Sequence, residues 1–354
     1  MPQTFTFPEA NALTSKLYAL LKTHPKRIVF ADGEDIRVLR VAARMVKMEI
    51  GVPILIGNRE KIFAMAAEEE IPMMFVSVVD PATSSDLKLF CNRIHKVSRF
   101  QNRMIDNAEE LMSRPHNYAA MMVQYGHADG FIAGNMSLPS SVFRAVMTIM
   151  KPLTHVPKVF GAMVLVAPHL EHFGHEGVLF LADCGVIPEP TVEELASIAV
   201  ETGKLAYCLL DRQPRVAMLS HSTKGSAQTQ SAKRMLAAKE LARMNAHKAG
   251  LDIIIDGEIQ ADVALDPAAA EIKQPEKPPK NSADVLVFPN LDAGNISLKL
   301  LQHVGGAQNY GQLIMGIARP AAQVPRTVTE ETLLGTAAIV GNEAIKANEL
   351  FRQK

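Results

Sequence analysis

The sequence has no net charge, few cysteines and no long apolar run, and each absence excludes a class of protein. Lysine plus arginine and aspartate plus glutamate number 37 each among 354 residues, so no overall field favours nucleic acid or an anionic membrane. The three cysteines, Cys91, Cys184 and Cys208, are odd in number and far apart, which argues against a disulfide framework or a Cys-x-x-Cys metal site. No apolar run reaches the ~18 residues that a membrane helix needs, and residues 1–20 do not read as a signal peptide. We therefore expect a cytoplasmic protein without a nucleic-acid or membrane partner.

Two nucleotide-binding signatures are also missing. The chain contains no Gly-x-Gly-x-x-Gly element, and Ser220-His-Ser-Thr-Lys-Gly-Ser226 lacks the spacing of a P-loop. This segment nevertheless follows an apolar strand and precedes a helix, where backbone N–H groups and the helix dipole can hold an anion. An anion site and an ordinary capped turn both remain open at this point.

Length and periodicity predict two α/β domains. A chain of 354 residues is longer than one small core normally serves. Residues 27–31 and 52–57 read as short buried strands around a helix with apolar spacing over 39–46, and this alternation favours a parallel sheet with right-handed crossovers. A composition shift at residues 151–157 marks the expected domain boundary.

The same reasoning places further elements along the chain. Predicted strands lie at 128–133, 159–166, 178–182, 215–219, 252–256 and 284–288. Predicted helices lie at 9–23, 108–126, 139–150, 191–209, 226–249 and 329–352. Residues 271–281 are charged and rich in proline, which indicates a surface loop.

Two clusters admit a metal site and a plainer alternative. Asp256, Glu258 and Asp262 share one face with Gln260 if their segment is extended, so they could bind a divalent cation or form a polar wall. His169, His172 and His175 are spaced by three residues and could belong to a zinc site or to a connecting loop. We favour the polar wall and the loop, and we predict no metal site.

Several long segments resemble phosphate acetyltransferases, which move an acetyl group between acetyl phosphate and coenzyme A. The match includes residues 220–226, 253–260 and 285–295, and residues 128–144 resemble the family stretch whose arginine, here Arg144, contributes to coenzyme A binding. The resemblance extends from Lys26 to about Asn348. It implies two α/β domains with mainly parallel sheets, similar to isocitrate and isopropylmalate dehydrogenases, with coenzyme A in an interdomain cleft. It also implies domains at 1–152 plus 312–354 and at 153–311, with a homodimer formed through the second.

The C-terminal signature of that family is altered here. Pro-Val-Asn-Asp-Leu-Ser-Arg-Gly reads as Pro320-Ala-Ala-Gln-Val-Pro-Arg-Thr327, so Pro325 replaces the serine and only Arg326 is kept. Thr332 stands where the family has an acid proposed to take the thiol proton. Loss of a general base commonly costs about 10²- to 10⁴-fold in rate, so we predict no catalytic residues. A second family arginine falls near Arg99.

A family fold without its catalytic residues resembles the C-terminal domain of bacterial hybrid malic enzymes, which senses acetyl-CoA. Residues 26–40 are also similar to the start of that domain. We therefore predict a silent regulatory domain that binds acetyl-CoA as an allosteric ligand and inhibits a malic enzyme domain in cis. That domain would carry NADP and Mg or Mn, and this chain contains no evident malic-enzyme segment. The alternative is an active, divergent phosphate acetyltransferase.

The resemblance also suggests which residues contact the ligand. Arg144 and Arg326 are the expected phosphate contacts, because guanidinium groups match phosphate oxygens. The cleft candidates with weaker support are Asn135, Ser137, Lys224, Asp292 and Asn295.

Overall fold

The computed structural model describes residues 10–100, 105–274, 276 and 278–352, with side chains described for 10–96, 105–274, 276 and 278–347. Within these residues the α-helices are α1 (Ala12–Thr23), α2 (Ile36–Lys47), α3 (Arg59–Glu68), α4 (Leu87–Phe100), α5 (Ala108–Ser113), α6 (Pro115–Gln124), α7 (Pro139–Ile149), α8 (Val192–Leu210), α9 (Gln230–Lys248), α10 (Ala261–Leu265), α11 (Pro267–Lys273), α12 (Leu291–His303) and α13 (Glu330–Arg352). The strands are β1 (Lys26–Phe30), β2 (Gly51–Ile56), β3 (Ser77–Val79), β4 (Gly130–Ala133), β5 (Phe160–Val166), β6 (Val178–Ala182), β7 (Arg215–Leu219), β8 (Ile254–Ile259), β9 (Val285–Val287), β10 (Gln308–Met315) and β11 (Ala321–Gln323).

The chain divides into two units. Unit 1 comprises Met1–Lys151 and Ala318–Lys354, and unit 2 comprises Pro152–Ile317. The sequence-based boundary at residue 312 falls inside β10, which pairs with β5 and therefore stays in unit 2. The arginine position expected near Arg99 lies outside the residues with described side chains.

Parallel pairing dominates both units. In unit 1 the strand order is β3-β2-β1-β4-β11 and every neighbouring pair is parallel. In unit 2 the order is β10-β5-β6-β9-β7-β8. The two pairings of β5, with β10 and with β6, are antiparallel, and the other three pairings are parallel. Strands β4, β5 and β6 are buried along their whole length, as expected when helices cover both faces of a sheet. The predicted α/β fold with mainly parallel sheets is confirmed.

Local chemistry explains where several helices begin and end. Asp35 caps α2 by accepting a hydrogen bond from the Arg37 amide, and Thr191 and Glu194 form a capping box at the start of α8. The single helix predicted over 108–126 is instead two helices, α5 and α6. Pro115 is the first residue of α6 and leaves Arg114 extended, because proline disfavours helical backbone in the residue before it.

Two other predicted segments shift in the structure. The strand expected at 252–256 is β8, two residues further on, where it pairs with β7. The first residues of the loop predicted at 271–281 belong to the last turn of α11. Asp266 caps the start of that helix. Within the described ranges, no helix combines the length and apolarity needed to cross a bilayer.

Strand order locates one candidate binding edge in each unit. In the sheet of unit 1, β2 lies on one side of β1 and β4 lies on the other. After β1 the chain continues to β2, whereas the next strand of unit 1 after β4 is β11, which lies on the far side of β4. In unit 2, β7 and β9 are neighbours in the sheet. The strand that follows β7 in the chain is β8 and the strand that follows β9 is β10, and these two lie in opposite directions across the sheet. Ligands of open parallel sheets bind outside the carboxyl ends of strands at such switch points. The loops concerned are 31–35, 134–138 and 324–329, here called the unit 1 edge, and 220–229 and 288–290, the unit 2 edge.

Candidate functional site

A buried carboxylate organises the unit 1 edge. Asp32, 7% exposed, follows β1 and accepts hydrogen bonds from the Gly134 amide at 2.7 Å and the Ser137 hydroxyl at 2.8 Å. The Nε2 atom of His116 lies 3.2 Å from Asp32 Oδ1. Burial is the largest influence and opposes ionisation, but the contacts with His116, Gly134 and Ser137 together lower the pKa of Asp32. Asp32 is therefore a charged anchor that ties the loop after β4 to the loop after β1.

A single guanidinium joins all three loops of this edge. Arg37 pairs with Asp35 through Nη2 at 2.6 Å and donates from the same nitrogen to the Asn135 carbonyl at 3.1 Å. Its Nη1 donates to the carbonyls of Arg326 and Val328, both at 2.8 Å. Burial acts most strongly on Asp35 and raises its pKa, but the bonds from Arg37 turn the net shift downward. The Arg37 guanidinium thus binds backbone carbonyl groups of two loops, and it fixes the loop that carries Arg326.

The structure brings three of the predicted site residues to this edge. Asn135 is buried and Ser137 half-buried after β4, while Arg326 is exposed after β11. The Arg326 side chain makes no hydrogen bond or ion pair with another residue described in the structure. Arg144 is exposed on α7, whose start carries Pro139 and has no side-chain cap.

The altered signature positions have local structural roles. The Thr332 amide donates to the Thr329 hydroxyl at 3.2 Å, and the Thr329 amide donates to the Thr332 hydroxyl at 3.2 Å. The two threonines therefore cap the start of α13 reciprocally. Pro325 accepts a bond from the Val328 amide at 3.0 Å and so forms a turn. Neither Pro325 nor Thr332 supplies a carboxylate or a free backbone donor to a ligand.

The loop of the unit 2 edge already contains a carboxyl group of its own unit. Glu258, 1% exposed, extends its carboxylate from β8 into the loop 220–226. Its Oε1 accepts from the Gly225 amide at 2.7 Å and the Ser222 hydroxyl at 2.9 Å. The other amides from 222 to 227 bond within the loop or to the Glu258 carbonyl. The structure shows this loop closed around the Glu258 carboxyl group, and the anion site that the sequence left open remains a prediction.

The acids that could have formed a metal site are paired separately. Asp256 forms an ion pair with Lys224, and Asp262 pairs with Lys273 at 2.6 Å. Burial is the strongest influence on Asp256, but the Lys224 ammonium outweighs it with other contacts and lowers the pKa. Among the described residues, no group of three His, Cys, Asp or Glu side chains is arranged to hold a metal ion. The charge of Lys224, a predicted ligand contact, is largely balanced by Asp256.

The histidine run lies in the segment connecting β5 to β6. His169 Nε2 lies 2.9 Å from the Gly305 carbonyl oxygen, and the ring of His172 packs on Phe173. His175 pairs through its backbone with Val178. The three imidazoles therefore have separate surroundings, as expected of a connecting loop.

The remaining predicted contacts lie on α12. Asp292 is exposed in its first turn, and the Asn295 amide nitrogen donates to the Cys184 carbonyl at 3.1 Å. Next to Cys184, Asp183 is buried and accepts bonds from four backbone amides, those of Gly161, Gly185, Val186 and Ile187. Burial outweighs these bonds and raises the pKa of Asp183.

Sequence reasoning did not single out Asp32, Arg37 or His116 as site residues. A signal for Asp32 exists, because it is the first carboxylate after a strand that reads as parallel. Arg37 gives no local signal, since two of its partners, Asn135 and Arg326, are 98 and 289 residues away along the chain.

Comparisons with known proteins agree over nearly the whole chain. The family model for phosphate acetyl/butaryl transferase matches residues 12–341. The phosphate acetyltransferase of Acetivibrio thermocellus is 34% identical over 323 residues, which covers 91% of this chain and 95% of that protein. The phosphate acetyltransferase of Clostridium acetobutylicum is 32% identical over 327 residues, covering 92% and 97%.

Solved structures give the same result. The EutD phosphotransacetylase from Staphylococcus aureus superposes with a TM-score of 0.83 at 30% identity, covering 94% of this chain and 99% of that one. A phosphotransacetylase from Streptococcus pyogenes has a TM-score of 0.86 at 27% identity, covering 96% and 100%.

These findings overturn the predicted regulatory function. The prediction of a silent acetyl-CoA sensor of a malic enzyme, with its oxidoreductase and NADP assignments, was wrong. Relatives that match about nine-tenths of the chain are named as phosphate acetyltransferases, and none of those described above is named as a malic enzyme. The prediction gave two substituted positions more weight than a likeness spread over the whole fold. The chain belongs to the phosphate acetyl/butaryl transferase family.

Proposed function

We propose that this protein transfers an acetyl group between coenzyme A and inorganic phosphate, interconverting acetyl-CoA with acetyl phosphate. Near-full-length relatives with that name support the proposal. The observation that carries it is Arg326, which is exposed and has no side-chain partner among the described residues, while Arg37 holds its backbone carbonyl. A guanidinium fixed at its base and free at its tip can bind phosphate through two parallel hydrogen bonds.

The reaction sets three chemical requirements. The thiolate of coenzyme A attacks the acyl carbon, a tetrahedral intermediate forms, and phosphate leaves. Binding therefore needs cations for phosphate, and catalysis needs donors for the developing oxyanion and an acceptor for the thiol proton. Arg326 would meet the phosphate, and Arg144 would bind phosphate groups of coenzyme A near the uncapped start of α7.

Acetyl-CoA is a substrate in this proposal, and no allosteric role is assigned to it. The predicted ligand contacts in unit 2 contribute less to ligand binding than Arg144 and Arg326 in this proposal. Lys224 is paired with Asp256, the Asn295 amide is bonded to Cys184, and an exposed Asp292 carboxylate would repel phosphate. Arg144 and Arg326 remain the residues we expect to dominate ligand binding.

The altered signature sets an expectation for the rate. Pro325 has no hydroxyl and Thr332 is not a base near neutral pH, so the chain must use other groups. We expect turnover slower than that of a relative with the intact signature, because a group at another position must accept the thiol proton.

Turnover of acetyl phosphate and coenzyme A by the purified chain tests the proposal, followed through the ultraviolet absorbance of the thioester. Arg326→Ala should raise the KM for acetyl phosphate at least ~10-fold, as expected when a charge-assisted bond of more than ~1.4 kcal/mol is lost. Lys22→Ala is the matched control, because Lys22 is exposed at the end of α1, close to the amino end of β1. No turnover at high protein concentration, or equal effects of the two substitutions, would contradict the proposal.

A further inference from the structure

The proposed reaction needs an acceptor for the thiol proton, and Thr332, at the position of the family acid, does not supply one. Thr332 is occupied in capping α13 through its contacts with Thr329. A histidine, His116, lies beside the buried carboxylate of the unit 1 edge. His116 is the second residue of α6, and its Nε2 lies 3.2 Å from Asp32 Oδ1, with the His116 side chain 17% exposed.

The surroundings of Asp32 make it a fixed partner for this imidazole. Its carboxylate is held by the Gly134 amide and the Ser137 hydroxyl, and only 5% of its side chain is exposed. A charged carboxylate beside Nε2 favours a proton on that nitrogen, which leaves the lone pair on Nδ1. The described residues offer Nδ1 no hydrogen-bond acceptor or donor. The imidazole therefore has a carboxylate against its Nε2 side, while its Nδ1 side has no hydrogen-bond partner among the described residues.

We propose that His116, positioned by Asp32, accepts the thiol proton of coenzyme A during acetyl transfer, a role that rests on the function proposed above. The S–H bond breaks as the proton moves to Nδ1, and the sulfur forms a bond to the acyl carbon of acetyl phosphate. The bond from that carbon to the phosphate oxygen then breaks, and its electron pair leaves with phosphate. Asp32 stabilises the imidazolium, which returns its proton to solvent or to phosphate. In the reverse direction His116 delivers the proton to the leaving sulfur.

Other charges near α6 also act on this imidazole. Helices α5 and α7 and strands β1, β2 and β4 pack against α6, and β2 and β4 contain no charged residue. Glu109 and Glu110 lie on α5, Arg144 on α7, Arg114 immediately before α6, and Asp32 and Asp35 after β1. Of these, only Asp32 has a carboxylate oxygen in an ion-pair contact with His116 among the described residues.

Unit 1 contains a second aspartate–histidine pair that serves as a matched control. The Nδ1 atom of His127 lies 3.3 Å from Asp86 Oδ2, and the His127 side chain is 30% exposed. His127 precedes the first residue of β4 by three positions, so it lies at the amino end of that strand. Asp32 lies at the carboxyl end of the neighbouring β1. The two pairs share their chemistry but lie at opposite ends of neighbouring strands.

The experiment compares the pH dependence of kcat for the full chain and its His116→Asn, His127→Asn and Asp32→Asn variants, after thermal unfolding confirms that each is folded. His116→Asn should lower kcat by about 10²- to 10⁴-fold and remove the acidic limb of the profile, with a smaller change in the KM for coenzyme A. His127→Asn should keep the profile of the unmodified protein. Asp32→Asn should move the acidic limb to lower pH, because the imidazolium loses its neighbouring carboxylate.

The two proposals fail in different ways. If the unmodified protein shows no turnover, the proposed function and this role are both overturned. If it turns over while His116→Asn keeps the same kcat and acidic limb, only the role of His116 is overturned. A loss in His116→Asn with an equal loss in His127→Asn would indicate a structural effect and would also overturn it. If Asp32→Asn does not fold, a nuclear magnetic resonance titration of His116 with and without coenzyme A decides, since bound thiol should shift its titration.

Discussion

The carboxylate of Glu258 bonds to the amide of Gly225, with 2.7 Å between Oε1 and the amide nitrogen. Gly225 has a φ of 83°, a conformation that glycine adopts without strain. A loop for which the sequence left an anion site open is therefore closed around a residue of its own unit. Any anion that binds there must compete with this internal carboxylate.

Replacing Glu258 should expose the loop to external anions. Glu258→Ala leaves the Gly225 amide and the Ser222 hydroxyl without their acceptor, so we expect a loss of about 3 kcal/mol in the free energy of unfolding. Added phosphate should raise the melting temperature of the variant more than that of the unmodified protein. Asp262→Ala is the control, since its exposed ion pair with Lys273 should contribute less than ~1 kcal/mol. Equal phosphate shifts in both variants would contradict this picture.

Arg37 should resist conservative replacement. Arg37→Lys keeps the charge but loses the planar fork that reaches Asp35, Asn135 and the Arg326 carbonyl together. We expect about 2 kcal/mol less stability in urea unfolding and a higher KM for acetyl phosphate, because the Arg326 loop is no longer fixed. Arg40→Lys is the comparison, as its contacts go to the side chains of Glu69 and Glu330. An unchanged KM in Arg37→Lys would show that the contacts of Arg37 with the three loops do not matter for the binding of acetyl phosphate.

Asp32 should make stability fall on acidification. Its pKa is lower in the folded protein than its ordinary value, so its contribution is fully present above the unfolded value near ~3.9. The contribution is lost as pH falls from that value through the folded pKa. Denaturant unfolding measures the free energy of unfolding at neutral pH and in this acidic window. The decrease between the two should be smaller for Asp32→Asn than for the unmodified protein. Parallel losses in both proteins would rule out this contribution from Asp32.

Restoring the family signature should increase the rate. Thr332→Asp supplies a carboxylate where the family has its acid, and a negative charge is tolerated in the first turn of α13 because it favours the helix N-terminus. Combined with Pro325→Ser, we expect kcat to rise about 10²-fold, measured with the thioester assay. Pro325→Ser combined with Thr332→Asn preserves the side-chain size without the charge. If both double variants have the same kcat, the missing acid is not what limits turnover.

The homodimer expected through the second domain remains a prediction. Ile296, Leu300 and Val304 are 59%, 56% and 82% exposed. Ile296 and Leu300 are four residues apart and lie on one side of α12, and Val304 directly follows the last residue of that helix. Burial of such a row between two copies would be favourable. Light scattering coupled to size exclusion should give a dimer for the unmodified protein and a smaller species for Leu300→Glu. A dimer unaffected by Leu300→Glu would place the interface elsewhere.

Much of the fold was predictable because its signals are local. The spacing of apolar residues predicted α2, and short apolar runs predicted β1, β2 and β6, since burial selects these patterns over a few neighbouring residues. Pro115 carried the information that splits the helix over 108–126, and the prediction overlooked it. The functional prediction failed for a different reason, because the substitutions at Pro325 and Thr332 do not reveal what other groups the fold brings near.

By itself the sequence determined the α/β class and the phosphate acetyltransferase likeness, and it identified Arg144 and Arg326 as candidate ligand contacts. These follow from periodicity, turn chemistry and motifs, each contained in a short stretch of chain. Only the tertiary structure decided that Glu258 fills the loop at 220–226 and that Arg37 joins three loops. It also decided that His116 lies against Asp32. Such contacts depend on strand order, because the carboxyl ends of parallel strands bring together residues that are remote in sequence.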